Sequence, residues 1–188
     1  MELHHETAPV QQFCLRYPPP LRYLHWISAL LVLGVVIPLG LIISYFELPD
    51  EIIKFKLYNF HESFGIVILI LTLIRLMYRW HEPAPPWPNE TPKIIRFMAG
   101  TSHILLYLLL VLVPIVGFLA TNAWGFPLAL FDLVLLPSPS GKDEEIAKWL
   151  SALHWAGALT MTGIITIHVC GGLYHRFAKR DRLSRRMY

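Results

Sequence analysis

The sequence predicts an all-α integral membrane protein, a bundle of four transmembrane helices, and three observations carry that prediction. Of the 188 residues, 55% are hydrophobic and only 15% charged, against about 25% charged in an ordinary soluble domain. Four apolar stretches reach the roughly 20 residues a helix needs to cross the hydrocarbon core. Charged or proline-rich segments separate the four, so they are distinct spans.

The first stretch runs from Leu24 to Phe46, and Pro38 inside it predicts a kink. The second runs from Tyr58 to Tyr78 and ends before Glu82-Pro83-Ala84-Pro85-Pro86-Trp87-Pro88, which cannot sustain a helix. The third covers Phe97 to Thr121, with Pro114 inside it, and the fourth Ile146 to Phe177, reaching beyond the hydrocarbon. Between them, Trp124 to Pro137 is apolar but interrupted by Pro127 and Pro137, too short to cross, and is expected to be an interfacial segment or a lid over the bundle. No repeat argues for another architecture. Residues 1–188 are expected to form one membrane domain, with residues 1–20 an N-terminal extension and residues 179–188 a basic tail. The first twenty residues hold His4, His5, Glu6 and Pro18-Pro19-Pro20 rather than a basic segment, apolar core and cleavage site, so no cleaved signal is expected.

Orientation follows from lysine and arginine placement. The N-terminal segment, the connection between spans two and three with its flanks, and the tail hold 12 of the 16 basic residues. The other two connections hold only Lys54, Lys56, Lys142 and Lys148, beside seven acidic residues. Both termini are therefore expected in the cytoplasm, as an even number of spans requires. Cys14 and Cys170 are far apart with no C-x-x-C pair, which removes the usual signatures of structural disulfides, thiolate zinc and covalently attached haem; Cys170 reads as a small apolar filler.

Four histidines, His25, His61, His154 and His168, lie in these spans, where an imidazole is costly unless it is paired, coordinated or facing a polar cavity. His154 and His168 are fourteen residues apart on one helix, which is roughly 21 Å along the axis and about 40° around it. They share a face at opposite depths. Depth pairs His25 with His168 and His61 with His154. Two opposed imidazoles on facing helices are what axial ligation of haem iron requires. Two low-spin bis-histidine b haems, one near each membrane side, are therefore predicted. Gly65, Gly157, Gly171 and Gly172 near these histidines would let backbone approach a macrocycle, and His154, Met161, His168 and His175 form a seven-residue stripe.

His103 has no partner at that spacing and is expected to bond a haem propionate or a neighbouring helix rather than iron. Arg75 and Arg79 read as interfacial anchors or as propionate clamps. The fourteen residues from His61 put Arg75 on the histidine face and favour the clamp there. His81, His4 and His5 are expected in solvent.

Leu24-His25-Trp26, His61-Glu62-Ser63-Phe64-Gly65, Arg75, the proline-rich connection, His103-Ile104-Leu105-Leu106-Tyr107, Pro114-Ile115-Val116-Gly117, Leu153-His154 and Ile167-His168 followed by His175 occur in an order and at depths similar to those of the bacterial cytochrome b561 family. The resemblance covers nearly the whole chain from about Pro20. It implies a four-helix di-haem b protein of the inner membrane that transfers electrons between the membrane faces, with ubiquinone as one partner. One member of that family is known as a superoxide oxidase. By this resemblance the iron ligands are His25, His61, His154 and His168, His103 and Arg75 match family positions, and His175, about 10 Å along the helix from His168, is expected either to bind quinone or handle its protons or to be an interfacial residue. The segment before Leu21 is longer than is usual there.

Bis-histidine ligation leaves no open iron position, so electrons would be exchanged at a haem edge. The acidic surroundings of the four outer lysines do not favour an anion funnel for superoxide. A competing expectation is a haem-bearing membrane anchor passing electrons for a partner dehydrogenase or hydrogenase. A further one is a metal-ion or proton transporter with a histidine-lined path. Nothing in the sequence calls for nucleic acid.

Overall fold

The structure, a computed structural model, describes residues 16–47, 50–88, 91–139, 141–181 and 183–187. The expectations for His4, His5 and Cys14 lie outside these residues. Among the described residues four helices are long and apolar enough to span a membrane: α1 (Pro19–Tyr45), α2 (Glu51–His81), α3 (Lys93–Ala123) and α4 (Glu144–Ala178), of 27, 31, 31 and 35 residues. The last three contain the spans read from the sequence, and α1 stops one residue short of its expected end, at Tyr45, with Phe46 extended. Most of their ends run further, because a helix need not stop where the hydrocarbon does; Glu51 and Lys54, Lys93 and Arg96, and Glu144 and Lys148 sit on these polar ends.

Local chemistry sets the starts. Asp50 caps α2, its carboxylate accepting from Ile52 N at 2.8 Å, and Asp143 caps α4, accepting from Glu145 N and Ile146 N at 3.0 Å. At the other end of the bundle α1 and α3 start from Pro18-Pro19 and Pro92, where a missing N–H removes no helical bond. The kink expected at Pro38 takes a specific form. Residues Val32–Val36 make a π turn in which Ile37 N–H reaches back to the Val32 carbonyl. Pro38 cannot donate to the carbonyl four residues earlier, and one wider turn accommodates that loss. A second π turn, Tyr174–Ala178, ends α4.

The close-packed pairs are α1 with α2, α2 with α3 and, along the greatest length, α3 with α4. Ser28, Val32, Ile68, Thr72, Val113, Ala120 and Met161 are buried between them. Large apolar side chains such as Leu30, Ile70, Ile104, Leu108 and Ile167 face outward. That outward belt is what a lipid-facing bundle surface requires, since the bilayer rather than the protein interior receives it.

The segment between α3 and α4 is a small hairpin, β1 (Ala129–Leu130) paired antiparallel with β2 (Val134–Leu135), Ala129 opposite Leu135 and Leu130 opposite Val134. It docks on α2. Asn59 Nδ2 donates to the Ala129 carbonyl at 2.7 Å and to Asp132 Oδ1 at 3.0 Å, and the Phe131 amide donates to Ser63 Oγ at 2.8 Å. Phe131 also packs on Phe60 and Phe64, and Leu128 beside it is buried. The segment expected to be interfacial or a lid is a strand pair, seated at the end of the bundle opposite the start of α1 and the end of α4.

Candidate functional site

The four span histidines meet in two pairs. The His25 and His168 rings have centroids 6.3 Å apart with planes at 73°, and the His61 and His154 rings 6.1 Å apart with planes at 80°. Sequence depth alone indicated these two partnerships. A metal-bound imidazole nitrogen lies about 2.0 Å from the metal and roughly 1.1 Å from its own ring centre, so two imidazoles on one iron put their centroids about 6 Å apart. Both pairs have that separation. Among the described residues no group of three or more His, Cys, Asp or Glu forms a metal cage. A facing pair suits an iron whose remaining positions a macrocycle fills.

At the hairpin end the rings are fixed in tautomer and direction. His61 Nδ1–H donates to the Val36 carbonyl at 3.1 Å, and His154 Nδ1–H donates to the Val113 carbonyl at 3.0 Å. A carbonyl only accepts, so Nδ1 carries the proton and the Nε2 lone pair is left for a metal. Each carbonyl lies four residues before a glycine that the ring touches. A Cβ on Gly40 would stand 3.1 Å from His61 Cε1, and one on Gly117 would stand 2.8 Å from His154 Cε1 and Nδ1. Val36-Ile37-Pro38-Leu39-Gly40 on α1 and Val113-Pro114-Ile115-Val116-Gly117 on α3 are therefore two versions of one seat for a histidine. Each combines a carbonyl acceptor and a glycine one turn later, with a proline between.

These seats correct the glycine expectation. Gly40 and Gly117 were missed, and Gly157 serves helix packing, because a Cβ there would stand 2.9 Å from Val113 Cγ2. Gly65, Gly171 and Gly172 have nothing within 4 Å of an added Cβ, which leaves their faces approachable by a flat ring. The repeated Val-x-x-x-Gly spacing with an internal proline was the available signal.

Beside His61, Glu62 accepts a hydrogen bond from Thr121 Oγ1 at 2.6 Å, tying α2 to α3. Trp124 Nε1 donates to Ser151 Oγ at 3.0 Å on α4. Two lysines at the hairpin end lie against neighbouring glutamates: Lys142 pairs with Glu144 at 3.1 Å and Lys54 lies 3.9 Å from Glu51.

At the termini end the site holds a third histidine. His103 on α3 is edge-on to His168 of α4, centroids 5.4 Å apart. Arg75 lies within the bundle over the Tyr107 ring at 5.2 Å, and its Nε is buried without a hydrogen-bond partner. A buried, under-satisfied guanidinium suits a carboxylate such as a propionate. Arg79 instead reaches outward over Tyr17 and to the Glu82 carbonyl. His175 Nδ1–H donates to Asp181 Oδ2 at 2.6 Å, and the same carboxylate accepts from Leu183 N at 3.0 Å, so His175 anchors the turn after α4. His81 is exposed as expected. Cys170 is exposed on α4 and fills no core position, because its face of the helix points away from the other three.

Comparison with known proteins agrees with this geometry. The sequence model of the family described as Prokaryotic cytochrome b561 matches residues 16–188. The chain is 31% identical over 167 residues to cytochrome b561 homolog 2 of Escherichia coli K12, covering 87% of this chain and 86% of that one. It is 30% identical over 128 residues to the protein named probable superoxide oxidase CybB of Yersinia pestis, covering 68% and 72%. It is 29% identical over 129 residues to cytochrome b562 of Cereibacter sphaeroides, covering 68% and 65%. A match over the whole described length leaves one assignment: the chain belongs to the prokaryotic cytochrome b561 family, a family of membrane electron-transfer proteins whose cofactor is b-type haem.

Proposed function

We propose that this chain carries electrons across the bacterial inner membrane by means of two b haems, one held by His25 and His168 and the other by His61 and His154. The observation that supports this most directly is the pair of ring separations, 6.3 and 6.1 Å, at two depths of one bundle. Haem supplies reversible one-electron chemistry when bound. The protein supplies direction, access and charge.

In this reading the Val36 and Val113 carbonyls keep His61 and His154 in the Nδ1–H tautomer. Arg75 takes a propionate at the termini end, which faces the cytoplasm, and His103 holds His168 in place. The hairpin covers part of the outer end. The net reaction is oxidation of two superoxide anions to dioxygen on the outer side, with the two electrons and two protons converting ubiquinone to ubiquinol. The relative named probable superoxide oxidase CybB supports that choice of donor.

One observation favours a second reading. Lys54 and Lys142 are engaged with glutamates rather than arrayed as a cationic funnel, so a protein donor, a partner dehydrogenase or hydrogenase for which the chain is the haem-bearing anchor, is the alternative to superoxide.

A reduced-minus-oxidised spectrum with haem quantitation tests the cofactor, with about two b haems per chain expected. Stopped-flow mixing of the purified chain and a ubiquinone analogue with superoxide tests the donor. Loss of superoxide faster than its own dismutation, with quinol formed, supports the oxidase; no quinol without a co-purifying protein supports the anchor.

A further inference from the structure

Beyond α4 the chain turns back. Asp181, bonded to His175 and to Leu183 N, sets the turn, and Ser184–Met187 form a short 3-10 helix. Its end is pinned to three other segments. The Tyr17 amide donates to the Arg186 carbonyl at 3.0 Å, and Trp26 Nε1 donates to the Met187 carbonyl at 2.8 Å. The Arg186 guanidinium donates to the carbonyls of Pro85 and Pro86 and lies over the rings of Trp87 at 4.7 Å and Tyr17 at 5.6 Å.

Arg186 is only 8% exposed. Burial pushes its pKa below the usual guanidinium value, yet an arginine remains cationic. Its described partners are carbonyls and aromatic faces, so one desolvated charge joins the tail, the N-terminal segment and the proline-rich connection. The same clasp borders the histidine cluster. Trp26, which bonds the Met187 carbonyl, packs on His25 with ring centroids 5.2 Å apart.

We propose that residues 183–187 are a strap, held shut by Arg186, that shields the His25/His168 site from water and so selects acceptors that arrive through the membrane over water-soluble ones. The inference rests on the haem reading above. Arg186 acts by position, since it touches neither His25 nor His168. The proline-rich connection gains a role: Pro85 and Pro86 offer carbonyls on an extended backbone that no helix consumes.

The test compares the full chain with R186A, and with Y17S as a second route to the same opening, in proteoliposomes captured by an N-terminal tag so that the termini end faces the bulk. The dithionite-reduced protein is mixed with ferricyanide, a water-soluble one-electron oxidant, or with a membrane-dissolved ubiquinone analogue. Deuterium uptake of residues 16–26 and 183–187 is measured in parallel, with and without haem. The expected result is faster uptake in both segments of either variant, a ferricyanide rate raised about tenfold or more as the strap opens, and an unchanged quinone rate. Removing a positive charge should slow an anionic oxidant, so acceleration in R186A has no electrostatic explanation. Unchanged uptake, or unchanged ferricyanide oxidation in haem-replete variants, overturns the strap alone. Absence of haem from the unaltered chain overturns the haem reading, and the inference with it.

Discussion

His154 lies against Gly117 so closely that a Cβ at residue 117 would stand 2.8 Å from the ring, while Nδ1 is held 3.0 Å from the Val113 carbonyl one turn before. The ring cannot retreat without giving up its bond. G117A should therefore displace His154, cost about 1–3 kcal/mol by overpacking, and lower the haem content towards one per chain. G40A, with its nearest ring atom at 3.1 Å, should do the same more weakly. Haem-to-protein ratio and thermal melts of the two variants check the order; a G117A protein with both haems and an unchanged melt would show that the seat is loose.

The pairing of rings predicts which losses go together. H61A and H154A should each remove the same haem, and H25A and H168A the other, leaving about one haem per chain in every case. H103A should retain both. Low-temperature difference spectra distinguish the two haems, and a histidine change that removes the signal assigned to the opposite pair contradicts the pairing.

The Arg75 guanidinium, over Tyr107 with a buried Nε lacking a partner, should stabilise the reduced state of the nearer haem by its positive charge. R75Q should lower that midpoint potential by tens of millivolts, where about 59 mV is tenfold in a one-electron equilibrium. R75K should fall between, keeping charge but losing the fork. Redox titration at low and high salt checks this, and because the group is buried the shift should be nearly salt-independent.

The residues legible in the sequence were those whose chemistry is improbable in lipid. Histidines and Arg75 stood out because an ionisable group inside an apolar stretch needs a reason, and helix rise together with the charge-based direction of each span sorted four histidines into two depths. The spans were legible for the same reason, although most ends were set short, since apolarity marks where hydrocarbon ends and not where Asp50 or Pro92 starts a helix. What escaped notice was carried by backbone. The carbonyls of Val36 and Val113 have no residue signature, and Gly40 and Gly117 look like ordinary small residues until a ring lies on them. The hairpin escaped because its strands are two residues each and its turn uses Phe131 and Asp132 at φ 51° and 59°, where Asn and Gly would have announced it. The tail strap escaped because basic residues after a last span read as an orientation signal, and only the fold brings Arg186 to Trp87 and Tyr17.

That unannounced turn yields the last prediction. Two non-glycine residues in the left-handed region cost on the order of 1–3 kcal/mol each. Two hydrogen bonds donated by Asn59 and one accepted by Ser63 offset this by about 0.5–1.5 kcal/mol each, and the Phe131 contacts with Phe60 and Phe64 add roughly 0.5–1.5 kcal/mol apiece. The sum is close to balance, so the hairpin stays seated only while its clamp is whole. Ser63 has no solvent exposure, and S63A would strand the Phe131 amide, costing about 1–3 kcal/mol. In S63A residues 127–136 should therefore exchange hydrogen quickly while α2 stays protected and the haem content is unchanged, because Ser63 bonds the hairpin and neither His61 nor His154. N59A should do likewise through Ala129 and Asp132. Hydrogen exchange resolved by peptide is the measurement, and uniform loss of protection along α2 would mean that Ser63 supports the bundle itself.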